Sequence, residues 1–317
     1  MPLFTIKRRR SVMKAGLVGN MGGARGLRLL NAQPCAEDAL SRAEIAGHIW
    51  AMFRPVLLAG CFALAASPAI ALPPCAPPVE MANLPITRVE QNGVLVATDG
   101  RALKLEGVLL PGGARDRAPE DLTRQAIAAL SDLAAGHLVT AAAQAPKRDR
   151  YGRTRGQLFM VDDGAVWLQT EMLRKGLARV AIAPDRRECV KELYAAEADA
   201  RARRAGLWAL PAYAIRQASE VTAKDLGTFQ IVEGRVANAS VKSRAYLNFG
   251  ADWKRDFTAT IAPEDMKTFR AAGIDPAGYA GALIRVRGII EWHNGPEIEI
   301  ASPGDIEVLP DLRPAQR

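Results

Sequence analysis

The sequence predicts a mainly β chain with α elements: two small β-barrels in series, the first with helices packed against it, behind an amino-terminal presequence. Three observations carry this. Short strand-like runs are joined by Asn92-Gly93 and Asp99-Gly100, both favoured hairpin turns. A helix-rich stretch follows from Pro119 to Ala205. Residues 226–309 then repeat a strand-rich pattern with one helix inside it.

Residues 1–71 are set apart as a presequence with a signal peptide. Met52-Phe53-Arg54 makes a positive start, Val56 to Ala66 is an apolar run, and Ala69-Ile70-Ala71 supplies the small-x-small pattern of signal peptidase cleavage. The expected start is Met52 and the expected destination is the periplasm or the medium after cleavage near Ala71. Leu58-Ala59-Gly60-Cys61 as a lipoprotein box and Arg9-Arg10 as a twin-arginine signal are rival readings. The apolar run is short for a membrane span, and no other candidate follows in the mature chain.

Setting residues 1–71 aside changes the electrostatics. They hold nine of the 42 basic and three of the 34 acidic residues, so the remainder has a net charge near +2 instead of +8. Overall charge therefore argues for no class of partner, and any basic surface has to be local. Of four cysteines, Cys75 and Cys189 survive cleavage. In an oxidising compartment they invite a disulfide, with two unpaired thiols as the alternative; two isolated cysteines make a poor metal site.

About 246 residues remain, enough for two domains, expected at 72–213 and 214–317 with the junction near Pro211-Ala212-Tyr213. In the first, Ile86–Val89, Val94–Thr98 and Leu103–Leu110 read as strands. A helix starts at Pro119-Glu120-Asp121, with Leu122, Ala126, Ala129, Leu130 and Leu133 at helical spacing, and stops at Gly136. His137–Ala143 and Gly156–Val161 read as further strands, Val166–Lys175 as a short helix, and Cys189–Ala205 as a last one. In that helix Glu197 stands four before Arg201 and Asp199 four before Arg203, which reads as a solvated charged face.

Asp149-Arg150-Tyr151-Gly152-Arg153, the run ending Arg174-Lys175-Gly176-Leu177-Ala178-Arg179-Val180, and Glu197 through Ala205-Gly206-Leu207-Trp208 resemble the staphylococcal-type thermonuclease family. The resemblance implies an OB-fold barrel with packed helices. It also implies a chemistry: calcium held by oxygen ligands, a carboxylate that activates water, and two arginines that stabilise the phosphoryl transition state.

The family motifs Asp-Gly-Asp-Thr, Arg-Leu-x-Gly-Ile-Asp-x-Pro-Glu and Asp-x-Tyr-Gly-Arg are kept unevenly. Gln91-Asn92-Gly93-Val94 replaces the first. In the second, Lys104 falls at the arginine, Leu109 at a metal-binding aspartate and Gly112 at the catalytic glutamate. The third persists, with Arg153 at the second arginine. A leucine offers no lone pair to a hard cation and a glycine abstracts no proton. The expectation is a catalytically degenerate protein that binds or scaffolds, with Arg153 and Lys104 as a remnant phosphate-binding pair, no metal site and no cofactor. The turn geometry of Tyr151-Gly152-Arg153 is a purely structural reason for Arg153 to persist. The alternative is an active calcium-dependent endonuclease whose carboxylates have relocated to Glu106, Asp99, Asp116 or Glu120.

In the second domain, Thr228–Ala237, Tyr246–Phe249, Phe257–Ile261, Leu283–Trp292 and Glu297–Ala301 read as strands and Pro263–Ala272 as a helix between the third and fourth, the order of an OB-like barrel. Tyr246-Leu247-Asn248-Phe249-Gly250, Asp256-Phe257 and Val286-Arg287-Gly288 resemble OB-like modules attached to exported thermonuclease-family proteins. Aromatics beside basic groups suit single-stranded nucleic acid. Trp253, Lys254, Arg255, Arg285, Arg287 and Trp292 are the candidate contacts, with Arg285 and Arg287 on one strand face; an unidentified protein is the other candidate partner. His293 has no second ligand nearby and reads as a loop residue.

Overall fold

The computed structural model describes residues 71–310 apart from Ala114, Asp163 and Trp253. The signal peptide reading and its Met52 start lie outside the described residues, as does Trp253. The described residues belong to one compact unit. Among the described residues no helix is long and apolar enough to cross a membrane.

The first barrel is built from β1 (Val79–Val89), β2 (Leu95–Ala97) and β3 (Ala102–Leu105), followed after a helix by β5 (Leu138–Ala142) and β6 (Thr154–Met160), with a short β4 (Val108–Leu109) in between. Sheet order is β3-β2-β1-β5-β6, and a parallel β3–β6 pairing with Lys104 opposite Arg155 closes it. Gly93 (φ +77°) and Gly100 (φ +82°) take the positive φ that the two hairpins need. The run read as one strand from Leu103 to Leu110 breaks at Gly107 (φ +82°), and β4 pairs instead with β8 (Arg179–Val180). Helix α1 (Glu120–Ala134) has Pro119 before its first turn and an acidic first turn, which suits the helix dipole. Its buried Ala126, Leu130 and Ala134 join Leu84, Ile86, Leu103, Val139 and Leu158 in the barrel core, while Leu122 packs with Leu207, Trp208 and Tyr213. β7 (Val166–Trp167), α2 (Leu168–Arg174) and α3 (Val190–Ala202) complete this half, and Cys75 is joined to Cys189 by a disulfide.

The second barrel uses β10 (Phe229–Arg235), β11 (Asn238–Val241), β12 (Ala245–Asn248), β13 (Thr258–Ile261), β14 (Leu283–Trp292) and β15 (Pro296–Glu299), entered by β9 (Arg216–Gln217) and left by β16 (Ile306–Val308). Helix α4 (Met266–Ala271) lies between β13 and β14. The order β11-β12-β13-β15-β14-β10, with β13 parallel to β15, is that of the first barrel with the opening strand broken into β10 and β11. Leu247, Ala259, Ile261, Val286, Ile290 and Ile298 fill the interior.

The two barrels meet in a polar seam. β14 does place Arg285 and Arg287 on one face, yet that face is not open to nucleic acid. Arg287 is 1% exposed. It donates to Val180 O at 3.0 Å and to Glu197 Oε2 at 2.9 Å, reaches Glu307, and lies 4.4 Å from the Tyr194 ring. Arg285 donates to Glu233 at 2.6 Å. The solvated-face reading of α3 holds for Asp199 and Arg203, 2.7 Å apart and exposed, but fails at Glu197, which is fully buried against Arg287. Arg179 crosses the same seam, donating to Phe229 O at 2.8 Å and pairing with Asp116. The expected junction at Pro211–Tyr213 is a packed turn whose Tyr213 hydroxyl donates to Asp116 Oδ2 at 3.0 Å.

Candidate functional site

Two grooves mark the two barrels. In the first, the β1–β2 turn, β3, and the segment from Val108 to Gly113 line a groove of about 450 Å³ against α1. It gathers Gln91, Asn92, Gly93, Lys104, Leu109 and Gly112, the positions where the resemblance expects catalytic groups. Its walls are aliphatic: Leu105, Val108, Leu109, Leu110, Pro111 and Ile127. Among the described residues lining it, Lys104 carries the charge and none is a carboxylate.

The backbone at two of these positions is specific to glycine. Gly112 sits at φ +119°, and a Cβ built there comes within 2.9 Å of Thr123 Cγ2. At Gly93 a Cβ would meet Leu110 Cδ1 at 2.4 Å. Both positions resist any side chain, a glutamate included.

Arg153 is not among the residues lining this groove. Its Nε donates to Asp149 Oδ2 at 2.7 Å, and the Arg153 and Tyr151 N–H groups donate to Asp149 Oδ1 at 3.0 and 2.9 Å. Burial raises the Asp149 carboxyl, but these hydrogen bonds outweigh it and hold the group below its ordinary value. The turn is thus a self-contained Asx-type structure that fixes the arginine. Tyr151 is 71% exposed, with the Arg153 and Arg150 guanidinium groups 4.8 and 5.7 Å from its ring.

The four carboxylates considered as substitutes are engaged elsewhere. Glu106 is buried and accepts from Arg155 Nε at 2.7 Å; Arg155 also holds Asp185. Asp116 is buried with Arg179 and Tyr213, and accepts from the Gly112 N–H at 2.7 Å. Asp99 pairs with Arg101 at 2.6 Å in its hairpin turn, and Glu120 lies 3.7 Å from Arg124.

In the second barrel a groove of about 660 Å³ runs over the outer face of β11, β12, β13 and β15 to the β14–β15 turn. Lys254, Arg255 and Trp292 do not line it. The first two are exposed in the β12–β13 loop, where Asp252 accepts from the Lys254 N–H, and Trp292 is 48% exposed beside the groove residue His293. Arg244, Asn248, Glu297 and Glu299 do line it and were missed from the sequence. The available signal was the alternation in Arg244-Ala245-Tyr246-Leu247-Asn248 and Glu297-Ile298-Glu299, which puts every polar side chain on one strand face.

Residues 104–210 match the family model for staphylococcal nuclease homologues. That span starts at Lys104, in the first groove, and contains Asp149 to Arg153. No curated protein matches the chain.

Proposed function

We propose, from the premise that residues 104–210 form a staphylococcal-nuclease-type domain, that this chain is an exported, non-hydrolytic binding protein whose partner at the first barrel is nucleic acid. The observation that carries the reading is the first groove, where the expected catalytic positions converge and the described lining residues include no carboxylate. Calcium asks for several hard oxygen ligands; Leu109, Gly112 and an aliphatic wall do not fit it, and Lys104 opposes it. Loss of a general base alone lowers rates by about 10²–10⁴. The engagement of Glu106, Asp116, Asp99 and Glu120 in other pairs weighs against relocated catalysis.

The corner at Arg150, Tyr151 and Arg153 supports nucleic acid as the partner. An exposed ring with two guanidinium groups offers one stacking surface and a local positive charge. The Cys75–Cys189 disulfide supports an oxidising compartment, hence export with cleavage near Ala71.

The test is to incubate the full chain with single-stranded and duplex DNA and RNA, with calcium or with chelator, reading cleavage and binding together. We expect no cutting, and weak binding of single strands that falls as salt rises. Calcium-dependent cutting that is lost in Arg153→Ala would falsify the non-hydrolytic reading. Sequencing the amino terminus of the secreted form checks the export half, which an unprocessed Met1 would overturn.

A further inference from the structure

We propose that the outer face of the second barrel is a binding site for a neutral oligosaccharide. The register builds the site. Ser240 lies opposite Tyr246, Tyr246 opposite Thr260, and Thr260 opposite Glu299; one row along, Asn248 lies opposite Thr258 and Thr258 opposite Glu297. Leu247, Ala259 and Ile298 point the other way, into the core. The result is one polar row across four strands, with Thr260 buried within it, beside a second across three, a span of about 14 Å at ordinary strand spacing. That length accommodates a short chain of sugar rings.

The chemistry of the rows selects the ligand. Tyr246 is 44% exposed within the groove, so its ring is available to the C–H face of a sugar. Around it the polar groups are already fixed by one another: Arg244 Nη1 donates to Glu299 Oε2 at 2.7 Å, Thr260 Oγ1 donates to Glu297 Oε1 at 2.7 Å, and Thr258 Oγ1 donates to Asn248 Oδ1 at 3.2 Å. Carboxylate, amide and guanidinium offer fixed acceptors and donors together, which matches hydroxyl groups that do both. A phosphate backbone asks for something else. Lys242 and Arg244 are balanced by Glu297 and Glu299 in the same lining, and two carboxylates facing a polyanion repel it. Barrels of this order bind oligosaccharides as well as oligonucleotides across this strand surface; the charge balance favours the sugar.

Calorimetric titration of the full chain with chitotetraose, with cellotetraose and with an oligothymidylate tests this. At least one of the two tetrasaccharides is expected to bind, with an affinity that changes less than about twofold between low and high salt. Tyr246→Ala is expected to weaken it about tenfold, the loss of a ring contact, while Tyr246→Phe retains it and both variants unfold at the wild-type temperature. Glu299→Gln tests the fixed polar row and is expected to weaken binding as well. Failure of both tetrasaccharides to bind at millimolar concentration overturns the proposal. So does unchanged affinity in Tyr246→Ala, or steeply salt-dependent oligothymidylate binding that Tyr246→Ala removes. Arg153→Ala leaves sugar binding intact, which separates this site from the first-barrel reading.

Discussion

The two barrels share a strand order and differ in what they do with it. In the first, the described lining of the groove is leucine, valine, isoleucine and proline around a lysine, and it includes Leu109 and Gly112, where the resemblance expects acids. In the second, the groove is lined by paired acids and bases, an amide and a tyrosine. Charge in the molecule is concentrated elsewhere: Glu106, Asp116, Glu197, Arg179 and Arg287 have buried side chains in ion pairs, most of them between the barrels. A barrel with this topology carries its chemistry in the side chains of one face, and a face can be rewritten without the strands moving.

The seam is where that contrast is most easily broken. Replacing Arg287 by methionine leaves Glu197 buried without its closest partner, and removal of one member of a buried pair costs about 3–5 kcal/mol. Urea unfolding of the variant should show this loss. The double change that also replaces Glu197 by glutamine should recover part of it, which identifies stranded charge as the cause. A loss below about 1 kcal/mol would mean that the barrels are not held by this cluster.

Asp305 lies behind the same seam. Burial, opposed by Arg287 and by backbone N–H groups, pushes its carboxyl up to about 7. Below about pH 3 the group is protonated in both folded and unfolded chains and contributes nothing. As pH rises towards 7 the unfolded chain ionises while the fold keeps the proton, so stability falls across that window, by on the order of 2–4 kcal/mol. Asp305→Asn should flatten the decline, and an unchanged pH profile would refute the shift.

These seam residues also mark the limit of what the sequence makes legible. Hairpins at Asn92-Gly93 and Asp99-Gly100, the stop at Gly136 and the strand-helix-strand order of the second barrel follow from local chemistry, and the structure has them. The first strand begins at Val79, earlier than Ile86, because the added residues pair with β5 through two register shifts and a left-handed Asn83, which hide any alternation. Glu197 and Arg287 stand 90 residues apart. A glutamate four before an arginine has the same sequence pattern whether water or another barrel covers it. The first groove is legible as replaced residues at the motif positions; the second shows in the sequence only as polar residues alternating on β12 and β15, a pattern that a merely solvated strand face shares.

Restoring acids to the first groove tests whether its replacement goes deeper than side chains. Gly112→Glu puts a side chain on a residue at φ +119° with Thr123 at contact distance, a strain of about 1–3 kcal/mol. Thermal unfolding should shift down accordingly. Leu109→Asp combined with Gly112→Glu should still give no calcium-dependent cleavage; if cutting returns, the difference between the two barrel faces is a matter of two side chains and the backbone has kept the nuclease geometry.

The smallest expected effect falls on the corner that survives. Arg153→Ala removes one guanidinium from beside Tyr151 and leaves Asp149 bonded to backbone N–H groups, so the turn should persist. A single exposed cation–π and phosphate contact contributes about 0.5–1 kcal/mol, so single-strand affinity should fall two- to fivefold and the dependence of log affinity on log salt should flatten by somewhat less than one. Arg153→Lys separates the two roles of the arginine: it keeps the charge and loses the planar fork that stacks on the ring and spans Asp149. If lysine restores affinity, the corner acts as a point charge; if it does not, geometry at Asp149–Arg153 is what the ligand reads, and the corner resembles the second barrel's pre-arranged face more than the aliphatic groove of the first.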